Sequence, residues 1–152
     1  MAFPSYRALA SGAAGALVLT ALHETARRRL PHAPRMDVLG MRALRKWVPA
    51  LRDERPRSTR LHRLALAGDL VANTIYYSGV AAASPAATYS RAATMGLAAG
   101  VGAVLLPEPL GLGDPPDSER LANQAMTVAW YVAGAVAAAV AANSMRYGRL
   151  PE

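Results

Sequence analysis

The hydrophobic pattern of the chain consists of four long, mostly apolar stretches separated by polar ones. Each stretch is long enough for a helix that crosses the roughly 30 Å hydrocarbon core of a membrane. The last is the most apolar, because residues 121–145 contain no charged side chain. We therefore predict an all-α integral membrane four-helix bundle that forms one domain, residues 1–152. The predicted spans comprise about residues 5–28, 62–83, 86–106 and 119–145.

A shorter amphipathic segment lies between the first and second spans, at about residues 35–48. Its apolar and small residues recur at intervals of three and four, which places them on one helix face. Arg42, Arg45 and Lys46 lie opposite that face, and Trp47 lies near its end. An interfacial amphipathic helix has this composition, so these four residues are predicted to contact lipid headgroups. Packing over the ends of the spans is an equal and compatible interpretation.

Positive charge is concentrated in one loop. The formal net charge is +7, and 12 of the 17 Lys and Arg residues lie between Arg27 and Arg63. Lys and Arg divide 13 to 4 between the two sides of the predicted bundle. The positive-inside rule then places the 27–63 loop in the cytoplasm of a bacterial-type inner membrane, with both termini outside. The block could also bind anionic lipids, whereas it lacks the interleaved aromatic residues of a nucleic-acid site.

Two alternatives to this topology follow from the same pattern. Arg7 ahead of the uncharged run 8–22 suits a signal peptide, but no small-x-small cleavage site follows and three arginines come directly after the run. Ala and Gly insert weakly into membranes, so a water-soluble helical bundle is the second alternative. Such a bundle needs a polar face on every helix, which residues 92–106 and 121–145 lack.

Asp69 is the most unusual residue in the pattern, because an acid at the middle of a spanning helix costs about 2.5–3.5 kcal/mol. Steps of seven, four and three residues place it on one helix face with three other polar residues of the second span. Polar residues at the cytoplasmic ends of the first and fourth spans lie at the same level. The predicted intramembrane polar cluster comprises His23, Glu24, Arg27, His62, Asp69, Asn73, Tyr76, Asn123 and Gln124.

Two interpretations of this cluster remain open from the sequence. In the first, it is a hydrogen-bonded lock in which Asp69 pairs with Arg27 or His23, and Asn73 bonds across to Asn123 or Gln124 of the fourth span. In the second, it lines a small cavity open to the cytoplasm, where acidic residues bind a cation, a proton or a polar headgroup.

Small residues recur at four-residue spacing within the predicted spans. Such pairs let helix backbones approach closely in lipid. Ala-rich spans also contain them by chance, so they predict close packing only, and self-association through one of these faces is left open. The pairs are Ser11 with Gly15, Gly12 with Ala16, Gly96 with Gly100, and Gly134 with Ala138.

No pattern in the chain indicates catalysis. There is no cysteine, no Gly-x-Ser-x-Gly elbow and no glycine-rich phosphate loop followed by Lys, so no catalytic residue and no cofactor are predicted. The histidines of the cluster lack the i, i+4 spacing of a metal motif, and no metal is expected. We expect a non-enzymatic accessory or structural component of a membrane complex or of its lipid surroundings. The alternative is a small transporter or channel subunit with a polar site of Glu24, Asp69 and Asn73; an enzyme acting on lipid is least supported.

Overall fold

The computed structural model describes residues 6–56, 58–116 and 120–147. Within these residues the regular structure is helical throughout and contains no strand, which confirms the all-α prediction. The predicted starts of the first and fourth spans, residues 5 and 119, lie outside the described residues. The helices are α1 (Tyr6–Arg29), α2 (Met36–Trp47), α3 (Thr59–Ser78), α4 (Thr88–Leu105) and α5 (Leu121–Tyr147), with 3₁₀ turns at Pro49–Leu51, Gly79–Ala82 and Pro85–Ala87.

Short-range sequence signals set several helix ends. Ser58 caps α3, since its Oγ accepts a hydrogen bond of 3.1 Å from the backbone N–H of Leu61. Val48 ends α2 in an extended conformation, with φ −106° and ψ 103°. That conformation is the one that Pro49 imposes on the residue before it. The polar and proline-rich stretches of the sequence therefore correspond to the breaks between helices.

The helices pack in the order α3, α1, α5, α4, each against the next. α1 contacts α3 on one side and α5 on the other, and α5 contacts α4. α3 and α4 have no comparable mutual contact. They are linked near the Gly79–Ala82 turn, where the Tyr76 hydroxyl donates a 2.9 Å hydrogen bond to the Met95 carbonyl. The gap between α3 and α4 is the main opening in the bundle.

Glycines bring the central helices into backbone contact. A Cβ atom on Gly96 of α4 would lie 2.7 Å from the Cα atom of Val132 in α5, and Gly100 meets α5 in the same way one turn later. On the other side of α5, a Cβ on Gly15 of α1 would lie 2.6 Å from the carbonyl oxygen of Gly134. These contacts confirm the close packing predicted from the small-residue pairs.

α2 covers the end of α3. Its Met41 packs with Leu51, Leu61 and Ala65 in a small buried cluster separate from the core of the bundle. This contact is expected if the apolar face of the amphipathic helix packs over the ends of the spans. Trp47, at the end of α2, remains 54% exposed.

At the opposite end of the bundle, Arg146 joins α5 to the connection between α3 and α4. Its guanidinium donates hydrogen bonds to the carbonyls of Ala81 at 2.6 Å and Ala83 at 2.7 Å, and to the Thr88 hydroxyl at 2.8 Å. The sequence pattern identifies Arg146 only as a basic residue flanking a span. Its partners are carbonyls freed at helix ends, which no sequence motif marks.

Among the described helices, only α5 is both long enough and apolar enough to cross a membrane, over Leu121–Arg146. α1 and α4 derive much of their apolar content from Ala and Gly, and α3 begins with a charged turn. Length and composition alone therefore identify one such helix instead of the four that the sequence pattern predicts.

We expect Gly96→Ala to destabilise the fold and Gly68→Ala to spare it. The new methyl group at position 96 would collide with α5, and relieving that overlap costs about 1–3 kcal/mol. Gly68 has open space around its Cβ direction, so alanine there gains helix propensity, about 0.5–1 kcal/mol. Thermal unfolding followed by circular dichroism measures both. Equal melting temperatures for the two variants would contradict the close contact between α4 and α5.

Candidate functional site

A cavity of about 500 Å³ lies between α3 and α4. Residues of these two helices border it on two sides, and α1, α2, α5 and the loop after α4 contribute the rest. Most of its lining is apolar or small, including Ala98, Ala99, Ala103 and Leu66. Small-molecule sites in proteins have this size and this apolar character, with a few polar groups that orient the ligand.

One end of the cavity is closed by α2 together with the 107–112 loop. Arg42 donates a 2.9 Å hydrogen bond to the carbonyl of Leu112, and Lys46 donates one of 2.6 Å to the carbonyl of Leu110. The loop turns at Gly111, whose φ of 64° lies in the left-handed region that glycine tolerates. Arg42 and Lys46, predicted at lipid headgroups, thus bind protein carbonyls, because a tight turn presents these acceptors next to α2.

The other two residues of the predicted headgroup surface lie at the outside of α2. Among the described residues, Arg45 makes one long hydrogen bond, 3.4 Å, to the carbonyl of Arg52, and Trp47 is exposed. Neither contributes to the cavity lining. Both side chains are therefore free of the contacts that hold Arg42 and Lys46 in place.

A network of ion pairs lies where α2 meets α1 and α3. Arg27 donates hydrogen bonds of 2.6 and 3.1 Å to Glu24, and Arg35 donates bonds of 2.8 and 2.9 Å to Asp37. His62 of α3 lies between the two acids, 3.9 Å from Glu24 and 3.7 Å from Asp37. The network brings three predicted residues together and adds Arg35 and Asp37, which the sequence interpretation missed because it treated them as part of the amphipathic helix.

Asp69 also lines the cavity, but it has no cationic partner among the described residues. Its Oδ1 accepts a 2.9 Å hydrogen bond from the side-chain amide of Asn73, one turn further along α3. The predicted pairing of Asp69 with Arg27 or His23 is wrong, because Arg27 is engaged by Glu24 and His23 packs among aromatic rings. The predicted bond from Asn73 to the fourth span is wrong as well, since the i, i−4 carboxylate lies nearer.

His23 and Thr20 bring unpartnered polar atoms to the cavity wall. The His23 ring lies edge-on to Trp130 at 5.2 Å and to Tyr131 at 5.9 Å between centroids. Its Nε2 atom and the Oγ1 atom of Thr20 are buried without a hydrogen-bond partner among the described residues. A buried polar atom in this condition costs about 1–3 kcal/mol.

The rest of the predicted cluster is divided between two places. Tyr76 lines the cavity on the same α3 face as Asp69. Asn123 and Gln124 border a second, smaller cavity of about 180 Å³, and Asn123 donates a 2.8 Å hydrogen bond to the carbonyl of His32. α5 contributes a different residue, Tyr131, to the larger cavity. Tyr131 lies two turns further along α5 than Gln124.

Neither metal-binding geometry nor similarity to known proteins assigns a function. Within residues 6–56, 58–116 and 120–147, no group of three or more His, Cys, Asp or Glu side chains could hold a metal ion. No protein-family model, curated protein or solved structure matches the chain. The function must therefore be inferred from the cavity and its charges.

Asp37 should stabilise the protein only while it is ionised. Burial raises the pKa of Asp37, but the hydrogen bonds and charge of Arg35, with help from Arg27 and His62, outweigh burial and hold this pKa below its ordinary value. An acid with a lowered pKa contributes its full stabilisation when the pH is above its pKa in the unfolded state, about 4. That stabilisation is lost as the pH falls through its pKa in the folded state.

Asp37→Asn should therefore lower the free energy of unfolding at pH 7 by about 1 kcal/mol, the scale of a partly exposed charged hydrogen bond. The deficit relative to wild type should shrink below about pH 4. Asp53→Asn is the control, because Asp53 is exposed. Chemical denaturation across pH measures the effect, and an equal deficit at pH 3 and pH 7 would contradict it.

Proposed function

We propose that this chain is a four-span inner-membrane protein that binds a small, largely apolar molecule in the cavity between α3 and α4. The observation that carries the proposal is the cavity itself: about 500 Å³, with mainly apolar walls that include Asp69, an acid without a cationic partner among the described residues. The binding function corresponds to a small transporter or carrier subunit.

Exposed apolar side chains support membrane insertion. Each long helix presents large apolar residues outward, including Leu17 on α1, Ile75 on α3, Val101 on α4 and Val140 on α5. Large contiguous apolar surfaces are uncommon on soluble monomers. In a bilayer these side chains would contact lipid tails. α5 meets the length and composition of a span by itself, and this shared outer surface extends the inference to α1, α3 and α4.

The distribution of charge along the helices supports the same inference. Residues 8–22, 64–78, 92–105 and 121–145 together contain one acidic or basic side chain, Asp69. That side chain borders the cavity, as expected for an acid in a spanning helix. The basic 27–63 segment lies at one end of this uncharged zone, which favours a cytoplasmic 27–63 loop with both termini outside.

A purely structural accessory role is the second candidate. The ion pairs of Glu24 with Arg27 and of Asp37 with Arg35 are local, and His62 of α3 lies between the two acids, so this arrangement needs no ligand. They account for the polar residues at the α2 end of the cavity. They do not involve Asp69, which lines the cavity and has no cationic partner among the described residues, so we favour binding.

The absence of native cysteine permits a direct test of the four-span topology by single-cysteine labelling. In intact cells, Ser84→Cys should react with a membrane-impermeant maleimide, and Asp53→Cys should react only after permeabilisation. Ile75→Cys, placed among lipid tails, should react slowly in both conditions. Labelling of Ile75→Cys as fast as Asp53→Cys in permeabilised cells, or labelling of Asp53→Cys in intact cells, would contradict the proposed topology.

Occupancy of the cavity can be tested with Trp130, which lies against the cavity residue His23. In a Trp47→Phe background, Trp130 is the remaining tryptophan, and it should transfer energy saturably to bound 1-aminoanthracene, a neutral aromatic probe. Ala98→Phe fills the cavity and should weaken binding about tenfold or more, equivalent to 1.4 kcal/mol.

The matched control is Ala93→Phe on the exposed part of α4, which does not line the cavity and should bind the probe as the background does. Saturable transfer that is equal in Ala98→Phe and Ala93→Phe would place the probe elsewhere. Absence of saturable transfer in the Trp47→Phe background would favour the accessory role.

A further inference from the structure

The charged side chains that line the larger cavity in the described residues are all acidic. They are Glu24, Asp37 and Asp69, and the lining contains neither Arg nor Lys. This composition is opposite to the overall balance of the chain, whose formal net charge is +7. The basic side chains around the site are turned toward acids and carbonyls of α1, α2 and the 107–114 loop. The cavity lining thus concentrates acidic side chains in a basic protein.

Two of these three carboxylates are already compensated. Glu24 bonds to Arg27, with Arg28 3.3 Å away, and Asp37 bonds to Arg35. Asp69 has only the neutral amide of Asn73 as a hydrogen-bond donor among the described residues. A cation that enters the cavity would therefore gain most by approaching Asp69.

Tyrosine side chains and apolar walls line the same cavity as this carboxylate. Tyr76 lies seven residues after Asp69, two helical turns along the same face, and Tyr131 borders the cavity from α5. The faces of tyrosine rings attract organic cations, by about 0.5–2 kcal/mol depending on desolvation. The remaining walls, such as Ala98, Ala99 and Leu106, offer contacts to hydrocarbon groups.

From these contacts we infer that the cavity binds a hydrophobic organic cation, with Asp69 as its counter-charge and Tyr76 and Tyr131 as aromatic walls. The inference rests on the proposed function, since it requires the cavity to accept a small molecule. A hydrophobic anion is excluded by the acidic lining. A small hydrated metal ion would lose its water against walls that supply too few oxygen ligands. A neutral molecule would gain no charge interaction from Asp69.

A pair of ions with almost the same shape and opposite charge tests the inference. Tetraphenylphosphonium is the cation and tetraphenylborate the anion, each measured against purified protein in neutral detergent and corrected for protein-free micelles. Wild-type protein should bind one tetraphenylphosphonium per chain saturably, and tetraphenylborate at least tenfold more weakly. Asp69→Asn should weaken tetraphenylphosphonium binding at least tenfold, whereas Asp53→Asn should stay within about threefold of wild type.

Equal affinity of wild type for the two ions, or unchanged affinity in Asp69→Asn, would overturn the inference. The ion comparison uses wild type alone, so it decides the question even if Asp69→Asn does not fold. If wild type does not prefer tetraphenylphosphonium over tetraphenylborate but Trp130 still transfers energy to 1-aminoanthracene, the cavity is a site for neutral molecules. In that case only the cation inference is lost. If neither ion and no dye binds, the proposed binding function is lost with it.

Discussion

Backbone contact through glycine is the constraint on which the rest of the architecture depends. Gly96 and Gly100 fix α4 directly against α5, while Gly12 fixes α1 against the backbone of α3 near Thr74. Because α3 and α4 are each held by a different central helix, the distance between them is set by α1 and α5 and not by mutual packing. The cavity occupies the space that this arrangement leaves, so a site for a ligand follows from how the helices touch elsewhere.

Electrostatics then divides the polar residues into two groups. At the α2 end, nearly every acid has an arginine within hydrogen-bonding distance, and Arg42 and Lys46 hold the 107–112 loop over the cavity. Deeper along α3, Asp69 faces apolar and aromatic walls with only Asn73 beside it. Paired groups stabilise the closed end. The group without a charge partner is the one available to bind something else.

Much of the fold could be predicted from the sequence because helix position depends on local signals. Apolar runs separated by polar stretches indicated the helices, and small residues at four-residue spacing indicated close contacts. The i, i+4 bond between Asn73 and Asp69 is equally local and could have been found from spacing alone. Partners on different helices could not be predicted in this way, because the depth of a residue along its helix does not reveal how the helix is rotated or which helices pack against it. Asn123 and Gln124 thus lie at the predicted end of the bundle but beside another cavity.

The central claim is that lipid surrounds the outer faces of the helices, while the cavity-lining face of α4 is turned toward the other helices of the bundle. Spin labels on α4 in lipid nanodiscs test it most directly, with Val101→Cys on the exposed face and Ala99→Cys on the cavity lining. The account predicts that oxygen, which concentrates in lipid, relaxes the label at 101 strongly and the label at 99 weakly, and that a polar nickel chelate reaches neither. A label at 101 that the nickel chelate relaxes as strongly as one at Asp53→Cys would contradict the account.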